Sequence, residues 1–240
     1  MNIVAIVTAG GMGLRLPGDV KKQYRMLGGK PVLIRTLEPF IHHKKINQVI
    51  VTLPYEDVDY FKAMTTKYLP SKGRKKPLTF CNGGIKRQDS VYEALKLCPE
   101  NTDFVLIHDG VRPFVTPELV DELLNLVNDF GAAIPAAPVK NTIKTVNGKI
   151  IDHTLRRDKL LEAYTPQVFG FPLLMKCFHR AMTEGYYSTD DASLLEHYGY
   201  SVHFLHDTSF NLKITDEFDF FLAEQYIRFK ADKQEIKDKE

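Results

Sequence analysis

Short, predominantly apolar runs recur along this chain, and longer segments with apolar residues at helical spacing separate them. Parallel strands that are buried on both faces have this composition, whereas the helices that connect them are apolar on one face only. The runs at 3–7, 48–53 and 104–107 therefore predict strands of one sheet. The alternation predicts a Rossmann-like α/β fold, with a mostly parallel sheet flanked by helices.

The same patterns predict the remaining elements. Further strands are expected at 78–81, 132–139 and 202–205, and helices at 31–40, 58–68 and 90–97. Thr116 is suited to cap a helix whose first residue is Pro117. The last helix is predicted to be capped by Thr215 and followed by a charged tail, 230–240, and its apolar face is expected to include Phe218, Phe221, Leu222 and Tyr226.

Composition narrows the classes of function. With 240 residues, 44% hydrophobic and 26% charged, the chain is expected to form one domain over 1–240 with a sizeable core. A net charge of +2 gives no support to nucleic-acid binding. The three cysteines have no metal spacing and no signal-peptide pattern precedes the first strand, so the expectation is a cytoplasmic protein with no membrane partner.

The first strand runs directly into a glycine-rich loop that begins at Ala9 and ends at Arg15. Gly10, Gly11 and Gly13 allow a tight turn whose backbone N–H groups can bind an anion. Arg15 and Lys22 add cations beside it, a combination that favours a nucleoside triphosphate. The alternative is an ordinary strand–loop connection with solvated basic residues.

Two better-known nucleotide loops are not supported. A dinucleotide fingerprint needs a small residue where Leu16 stands. A Walker A loop needs Ser or Thr after Gly-Lys, but Gly29-Lys30 is followed by Pro31 and Gly148-Lys149 by Ile150. A dehydrogenase and a P-loop enzyme are therefore both disfavoured.

Further polar motifs follow other predicted strands or precede the last helix. Ligands of open α/β sheets bind beyond the carboxyl ends of the strands, so these motifs are expected to converge on one cleft. They are Gly83-Gly84 with Arg87 and Ser90, His108-Asp109 with Arg112, and Asn211-Leu212-Lys213.

The segment 139–161 differs from the rest of the chain. It is polar, contains short β-like pieces, and has a turn signal at Asn147-Gly148. We expect it to project from the domain as an arm. A solvated hairpin with no further role is the alternative.

The order and spacing of the motifs resemble those of the 2-C-methyl-D-erythritol 4-phosphate cytidylyltransferase family, whose members are glycosyltransferase-A-like nucleotidyltransferases. The resemblance extends over nearly the whole length. It is carried by the segments 9–15, 22–24, 83–87 with Ser90, 108–113, 137–144, 164–167, 189–193 and 211–213.

The resemblance implies a reaction in non-mevalonate isoprenoid precursor synthesis. CTP and 2-C-methyl-D-erythritol 4-phosphate would give 4-diphosphocytidyl-2-C-methyl-D-erythritol and pyrophosphate. The attacking phosphate oxygen is already largely ionised at neutral pH, so no Ser–His or Cys–His nucleophile is required. Arg15, Lys22 and Lys213 would be the catalytic cations. Mg²⁺ or another divalent cation would bridge phosphate oxygens, with Asp109 as the candidate carboxylate ligand.

The resemblance also implies binding roles. Gly84 and Ser90 would recognise cytosine, and Asp109 would contact ribose or the acceptor; as alternatives, Ser90 would cap a helix and Arg87 would form a structural ion pair. Arg112 is expected to brace the Asp109 loop. The implied nucleotide-binding residues are Ala9, Gly10, Gly11, Gly13, Gly84, Ser90 and Asp109.

For the acceptor, a sugar-alcohol phosphate, the implied contacts are Thr142, Arg157, Thr165 and Thr189. In the family the arm reaches across a two-fold axis, which implies a homodimer. Three residues depart from the family pattern: Lys21 stands where Pro is usual, Asn141 where Asp is usual, and Gly10 where Ala is common.

Two rival functions stay open. A ribitol- or ribulose-5-phosphate cytidylyltransferase would share the CTP site, although 142–144 and 189–193 favour the methylerythritol type. A non-catalytic nucleotide-sensing protein of the same fold is the other rival. The joint presence of Arg15, Lys22, Asp109 and Lys213 argues against it.

Overall fold

The computed structural model describes residues 1–11, 20–69 and 76–237, with side chains up to residue 233. Its strands are β1 Ile3–Thr8, β2 Met26–Leu27, β3 Lys30–Pro31, β4 Gln48–Leu53, β5 Leu78–Asn82, β6 Phe104–Asp109, β7 Ala132–Pro138, β8 Lys144–Asn147, β9 Ile150–Thr154, β10 Leu161–Ala163, β11 Gln167–Gly170 and β12 His203–His206. Its α-helices are α1 Val32–His42, α2 Val58–Tyr68, α3 Arg87–Leu95, α4 Pro117–Phe130, α5 Phe171–Glu184, α6 Asp191–His197 and α7 Glu217–Lys237. Short 3-10 turns lie at Lys22–Tyr24, Tyr55–Asp57 and Arg157–Lys159.

Eight strands form the main sheet, in the order β10-β7-β11-β6-β1-β4-β5 with β12 also paired to β7. The central strand β1 is parallel to both β4 and β6, and β5 is parallel to β4. The strand β11 runs antiparallel between β6 and β7. The predicted mostly parallel α/β sheet is confirmed.

Both faces of the sheet are covered by helices. Along β1, Ile3, Ala5 and Val7 pack with α1 and α4, while Val4 and Ile6 pack on the other face with α3 and α5. Each fully buried Val or Ile side chain contributes about 1.5–3 kcal/mol relative to exposure. The apolar runs in the sequence are therefore the centre of the core.

The boundaries of α4 follow its local chemistry. The Thr116 hydroxyl accepts a hydrogen bond from the Leu119 N–H at 3.3 Å, and Pro117 is the first helical residue. At the other end Gly131 has φ +81°, which a residue with a side chain adopts only with strain. The predicted cap is confirmed.

Two other helix starts differ from the prediction. The helix α3 begins at Arg87, so Ser90 lies inside it and does not cap it. The helix α7 begins at Glu217, and the carboxylate that accepts from the Asp219 N–H belongs to Asp216, at 2.9 Å, one residue after Thr215. The predicted capping residue is therefore wrong by four positions at α3, whose N-cap is Lys86, and by one position at α7.

The predicted apolar face of α7 is wrong in part. Phe218 and Phe221 are 67% and 55% exposed, whereas Ala223 is buried, with Phe220 and Ile227 packed against the same small cluster. The helix therefore rests on the body of the protein through a different stripe. None of the helices in the described ranges combines the length and apolar character needed to cross a bilayer.

The polar segment forms a hairpin outside the main sheet. Strands β8 and β9 pair only with each other, their residues are almost all exposed, and the turn between them contains Gly148 at φ +60°. The end of the segment returns to the main sheet through β10, which pairs with β7. A role of this hairpin in dimerisation stays a prediction.

Candidate active site

A cleft of about 410 Å³ opens at the carboxyl ends of β1 and β6. Parallel strands end at the same edge of a sheet, so the loops that follow them meet there. The structure thereby brings together eight of the predicted site residues. They are Ala9, Gly10, Gly11, Lys22, Gly84, Ser90, Asp109 and Lys213.

The remaining predicted residues are not part of the described lining of this cleft. Gly13 and Arg15 fall outside the described residues. Thr165 is buried next to the cleft, while Thr142, Arg157 and Thr189 are exposed and do not belong to its described lining.

The glycine loop leaves room in the cleft. A Cβ on Gly10 would meet only the Ser90 Oγ, at 3.7 Å, and one on Gly11 would meet nothing within 4 Å. Alanine would therefore fit at Gly10. The loop is tied to the Lys22 segment by Gln23, a buried residue whose Nε2 donates to the Ala9 carbonyl at 3.1 Å.

The opposite wall is the turn between β5 and α3. A Cβ on Gly84 would lie 2.2 Å from the Cβ of Asp89, so only glycine fits there. The Gly84 N–H donates to the Ser90 Oγ at 3.0 Å, and that hydroxyl donates to the Lys86 carbonyl at 3.2 Å. Ser90 thus fixes the shape of this wall, in addition to facing the cleft.

Asp109, at the end of β6, is surrounded by three cations. Its carboxylate lies 3.4 Å from Arg87 Nε, 3.2 Å from Arg112 Nε and 2.9 Å from Lys213 Nζ. Burial alone would raise the pKa of Asp109, but Arg87, Lys213 and Arg112 together hold that pKa well below its usual range. The carboxylate stays ionised and positions Lys213 in the cleft.

The cleft is electropositive as a consequence. Its charged lining in the described part of the chain consists of one carboxylate, Asp109, and four cations, Lys22, Lys86, Arg87 and Lys213. Cations arranged around an apolar-walled cleft attract and orient an anionic ligand. A polyphosphate matches this excess of positive charge.

Arg112 braces the site, as predicted. Besides contacting Asp109, its buried guanidinium donates from Nη1 to the Asn211 carbonyl at 2.8 Å. The Asn211 side-chain amide in turn donates to the Thr165 carbonyl at 2.9 Å. These bonds join the Asn211–Lys213 stretch to the end of β6, although the two are far apart in sequence.

His108 supports Asp109 indirectly, through the Arg112 carbonyl and the Thr165 hydroxyl. The sequence analysis did not predict this role. It is fully buried, and its Nε2 lies 3.0 Å from the Arg112 carbonyl, so Nε2 carries the proton. Its Nδ1 therefore accepts from the Thr165 hydroxyl at 2.9 Å, and that oxygen also accepts from the Asp109 N–H at 3.2 Å. Burial lowers the pKa of His108 to about 4, which keeps the ring neutral.

Arg87 forms a structural ion pair with Asp191, which was the alternative to a ligand contact, and it also lines the cleft. Its Nη2 lies 2.8 Å from Asp191 Oδ2, so it links the Asp109 cluster to α6. Gln167 positions Asp191 by accepting from its backbone N–H at 3.1 Å.

Thr189 stands just before α6. Asp190 caps that helix by accepting from the Ser193 N–H at 2.9 Å, while the exposed Thr189 hydroxyl lies 3.3 Å from the Ser193 Oγ. Capping thus explains the spacing of the 189–193 motif without a ligand. An acceptor contact by Thr189 stays a prediction.

On the hairpin side, Arg157 donates from Nη1 to the Lys140 carbonyl at 2.8 Å, and Thr142 is exposed. Neither residue reaches the cleft of its own chain. These two predicted acceptor contacts are therefore separated from the predicted nucleotide contacts, whereas Thr165 is bonded to the Asp109 N–H.

The described residues do not assemble a metal site. No group of three or more His, Cys, Asp or Glu side chains in them could hold an ion. Asp109, the predicted carboxylate ligand, already faces three cations, and these would repel a divalent ion.

The chain is similar to known proteins in both sequence and structure. A family model described as 2-C-methyl-D-erythritol 4-phosphate cytidylyltransferase (IspD) matches residues 3–229. A protein of that name from Geobacillus thermodenitrificans (strain NG80-2) is 38% identical over 224 residues, covering 93% of this chain and 96% of the relative. Another, from Bacillus mycoides (strain KBAB4), is 35% identical over 222 residues, 92% of this chain and 96% of its own. The crystal structure of 4-diphosphocytidyl-2C-methyl-D-erythritol synthase from Anaerococcus prevotii DSM 20548 has 31% identity and a TM-score of 0.82, and the match covers 95% of this chain and 96% of that one.

Proposed function

The chain belongs to the 2-C-methyl-D-erythritol 4-phosphate cytidylyltransferase family, and we propose that it transfers the cytidylyl group of CTP to 2-C-methyl-D-erythritol 4-phosphate. The products are 4-diphosphocytidyl-2-C-methyl-D-erythritol and pyrophosphate. The observation that carries the proposal is the electropositive cleft that joins Lys22 and Lys213 to the Gly84–Ser90 wall.

In the proposed reaction, an oxygen of the acceptor phosphate attacks the α-phosphorus of CTP. A P–O bond forms there as the bond from the α-phosphorus to the bridging oxygen breaks, and pyrophosphate leaves with the electron pair. The second pKa of a phosphate monoester is about 6, so the nucleophile needs no side chain to remove a proton. Catalysis then depends on aligning two anions and neutralising their charge.

The described cations are suited to that task. Lys22 and Lys213 line the same cleft, and Asp109 holds Lys213 at 2.9 Å. We assign these lysines, with Arg15, to the charge that develops on the α-phosphate and on the leaving pyrophosphate. Asp109 acts through Lys213 and as a contact to ribose, and it does not act as a base because its own charge is already balanced.

The base of CTP is assigned to the wall formed by Gly84 and Ser90, with Ala9, Gly10, Gly11 and Gly13 around the phosphates. Mg²⁺ is proposed to enter with the triphosphate, because Mg²⁺ prefers phosphate oxygens and retains several waters. We place the proposed reaction in a reducing cytoplasm, in keeping with the three free cysteines of the described chain.

The acceptor site is proposed to require two chains. Thr142 and Arg157 do not line the described cleft of their own chain, and they lie on or beside an exposed hairpin. In a homodimer, the hairpin of one copy would bring them to the cleft of the other, where Arg157 would grip the acceptor phosphate. Thr165 and Thr189 would complete the acceptor contacts.

The test is pyrophosphate release from CTP with each of three acceptors: 2-C-methyl-D-erythritol 4-phosphate, ribitol 5-phosphate and ribulose 5-phosphate. The proposal expects the first to give the highest kcat/KM. Preference for a pentose or pentitol phosphate would move the chain to the rival specificity. Absence of turnover with all three, despite CTP binding, would favour a nucleotide-sensing protein.

A further inference from the structure

Lys21 precedes the proposed catalytic Lys22 and is paired with two acidic side chains. Its Nζ lies 2.8 Å from both carboxylate oxygens of Asp57 and 3.3 Å from Glu56 Oε1. Asp57 is 8% exposed and ends the 3-10 turn before α2. A buried carboxylate is stable only when cations or hydrogen-bond donors compensate it.

A second donor to the same carboxylate comes from the same segment. The Tyr24 hydroxyl donates to Asp57 Oδ2 at 3.0 Å, and the Tyr24 ring packs on Tyr60 and Phe61 of α2. Lys21 and Tyr24 thus fasten both ends of the 3-10 turn that carries Lys22 to α2. Gln23, between them, ties the turn to the glycine loop through the Ala9 carbonyl.

The backbone conformation of Lys21 is one that a proline at this position would also adopt. Its φ of −55° and ψ of 139° lie in the range that a proline imposes. Where a proline would restrict this backbone covalently, here the ion pair with Asp57 restrains the same turn through its side chain.

We propose that Lys21, clamped by Asp57, is a positioning residue that holds Lys22 in the cleft. The inference rests on the proposed function, because it assumes that Lys22 acts on the phosphates of CTP. A lysine that is displaced from its working geometry loses rate steeply, since preorganised charge is effective only at the right place.

The test compares kcat, the CTP dissociation constant and the melting temperature across variants. Lys21→Met is expected to lower kcat about tenfold and raise the CTP dissociation constant about threefold. Lys21→Arg should keep most of the activity because it can still pair with Asp57, and Lys21→Pro should restore part of it through the backbone. Lys62→Met removes an exposed Lys62–Asp59 pair from α2 and is the matched control. It should change neither kcat nor the CTP dissociation constant.

The decisive measurement uses a Lys22→Ala background. If Lys21 acts through Lys22, adding Lys21→Met to Lys22→Ala should cost almost no further activity, whereas a general loss of folding would reduce both backgrounds equally. The proposal would be overturned if the Lys21→Met variant had the kcat and CTP affinity of the wild type. It would also be overturned if Lys21→Met reduced activity equally in the wild-type and Lys22→Ala backgrounds. A wild-type protein that is inactive with every acceptor would instead refute the proposed function, and CTP affinity would still test the clamp.

Discussion

The cleft and the hairpin differ in how firmly they hold the residues of the proposed site. Around the cleft, Asp109, Arg112 and His108 are buried and bonded to one another, so each side chain has one position. On the hairpin, Thr142 and Arg157 are exposed and hold no described contact with the cleft. Under the proposal, one chain preorganises the nucleotide side by itself, and assembly with a second copy would complete the acceptor side.

The largest expected effect is on the cleft side. Lys22→Ala should lower kcat about 10²-fold or more, the scale of losing one preorganised stabiliser of transition-state charge. Steady-state pyrophosphate release measures this, with Lys233→Ala on exposed α7 as the control. Near-normal turnover of the Lys22 variant would remove Lys22 from the mechanism.

The second prediction concerns the buried support of the cleft. The pKa of His108 is lowered by burial to about 4, against an ordinary value of about 6.5 in the unfolded chain. Below pH 6.5 the unfolded chain binds a proton that the native state does not, so stability is complete above that pH and falls as the pH approaches 4. At pH 5 the loss from this residue is about 2 kcal/mol.

Urea unfolding at pH 7.5, 6.0 and 5.0 checks that expectation. Burial also lowers the pKa of His43, so the relevant quantity is the difference in slope between the wild type and His108→Gln. The variant should lose most of the His108 contribution, while His42→Gln, at an exposed position, should retain the wild-type slope. Parallel curves for His108→Gln and the wild type would contradict the buried neutral ring.

On the hairpin side, the expected effect is smaller and restricted to one substrate. Arg157→Ala should raise the acceptor KM about tenfold and leave CTP binding nearly unchanged, because a bidentate phosphate contact is lost. Arg156→Ala is the matched control, since Arg156 pairs with Asp158 on the same exposed segment. An equal rise in KM for both variants would point to disruption of the hairpin.

Mixing the Arg157→Ala and Lys22→Ala proteins tests whether the hairpin acts on the other copy. Random exchange at equal amounts makes about half of the dimers mixed, and each mixed dimer would contain one site with an intact cleft and an intact hairpin. Activity should then return above that of either variant alone. If exchange is verified and no activity returns, the acceptor contacts belong to the same chain as the cleft.

The sequence predicted the parts of the fold that depend on local composition. Apolar runs predict the central strands because both faces of those strands are buried, and the convergence of motifs follows from parallel strands ending at one edge. The bracing role of Arg112 was also predicted. Leu174, Cys177, Phe178 and Ala181 have the spacing of a buried helix face, so the sequence contains a signal for α5 that was absent from the predicted elements.

Other features depend on contacts between distant residues and have no local signal. The strand β11 is only four residues long, and its antiparallel place between β6 and β7 is set by tertiary packing. The buried stripe of α7 depends on which face meets the body of the protein. Arg87 and Lys213 reach Asp109 from segments that only the fold brings together.

The smallest expected effect separates structure from recognition at Ser90. Its hydroxyl accepts from the Gly84 N–H and donates to the Lys86 carbonyl, so Ser90→Ala should cost about 1 kcal/mol of stability. Ser193 makes the same kinds of bond, accepting from the Asp190 N–H at 3.3 Å and donating to its carbonyl at 3.0 Å, but does not line the cleft. Ser193→Ala should therefore show a similar loss of stability with unchanged use of CTP.

If Ser90 also contacts cytosine, only Ser90→Ala should raise the CTP KM about threefold and narrow the preference for CTP over UTP. Unchanged nucleotide kinetics in both variants would restrict Ser90 to shaping the wall, and recognition of the base would then fall to the backbone around Gly84.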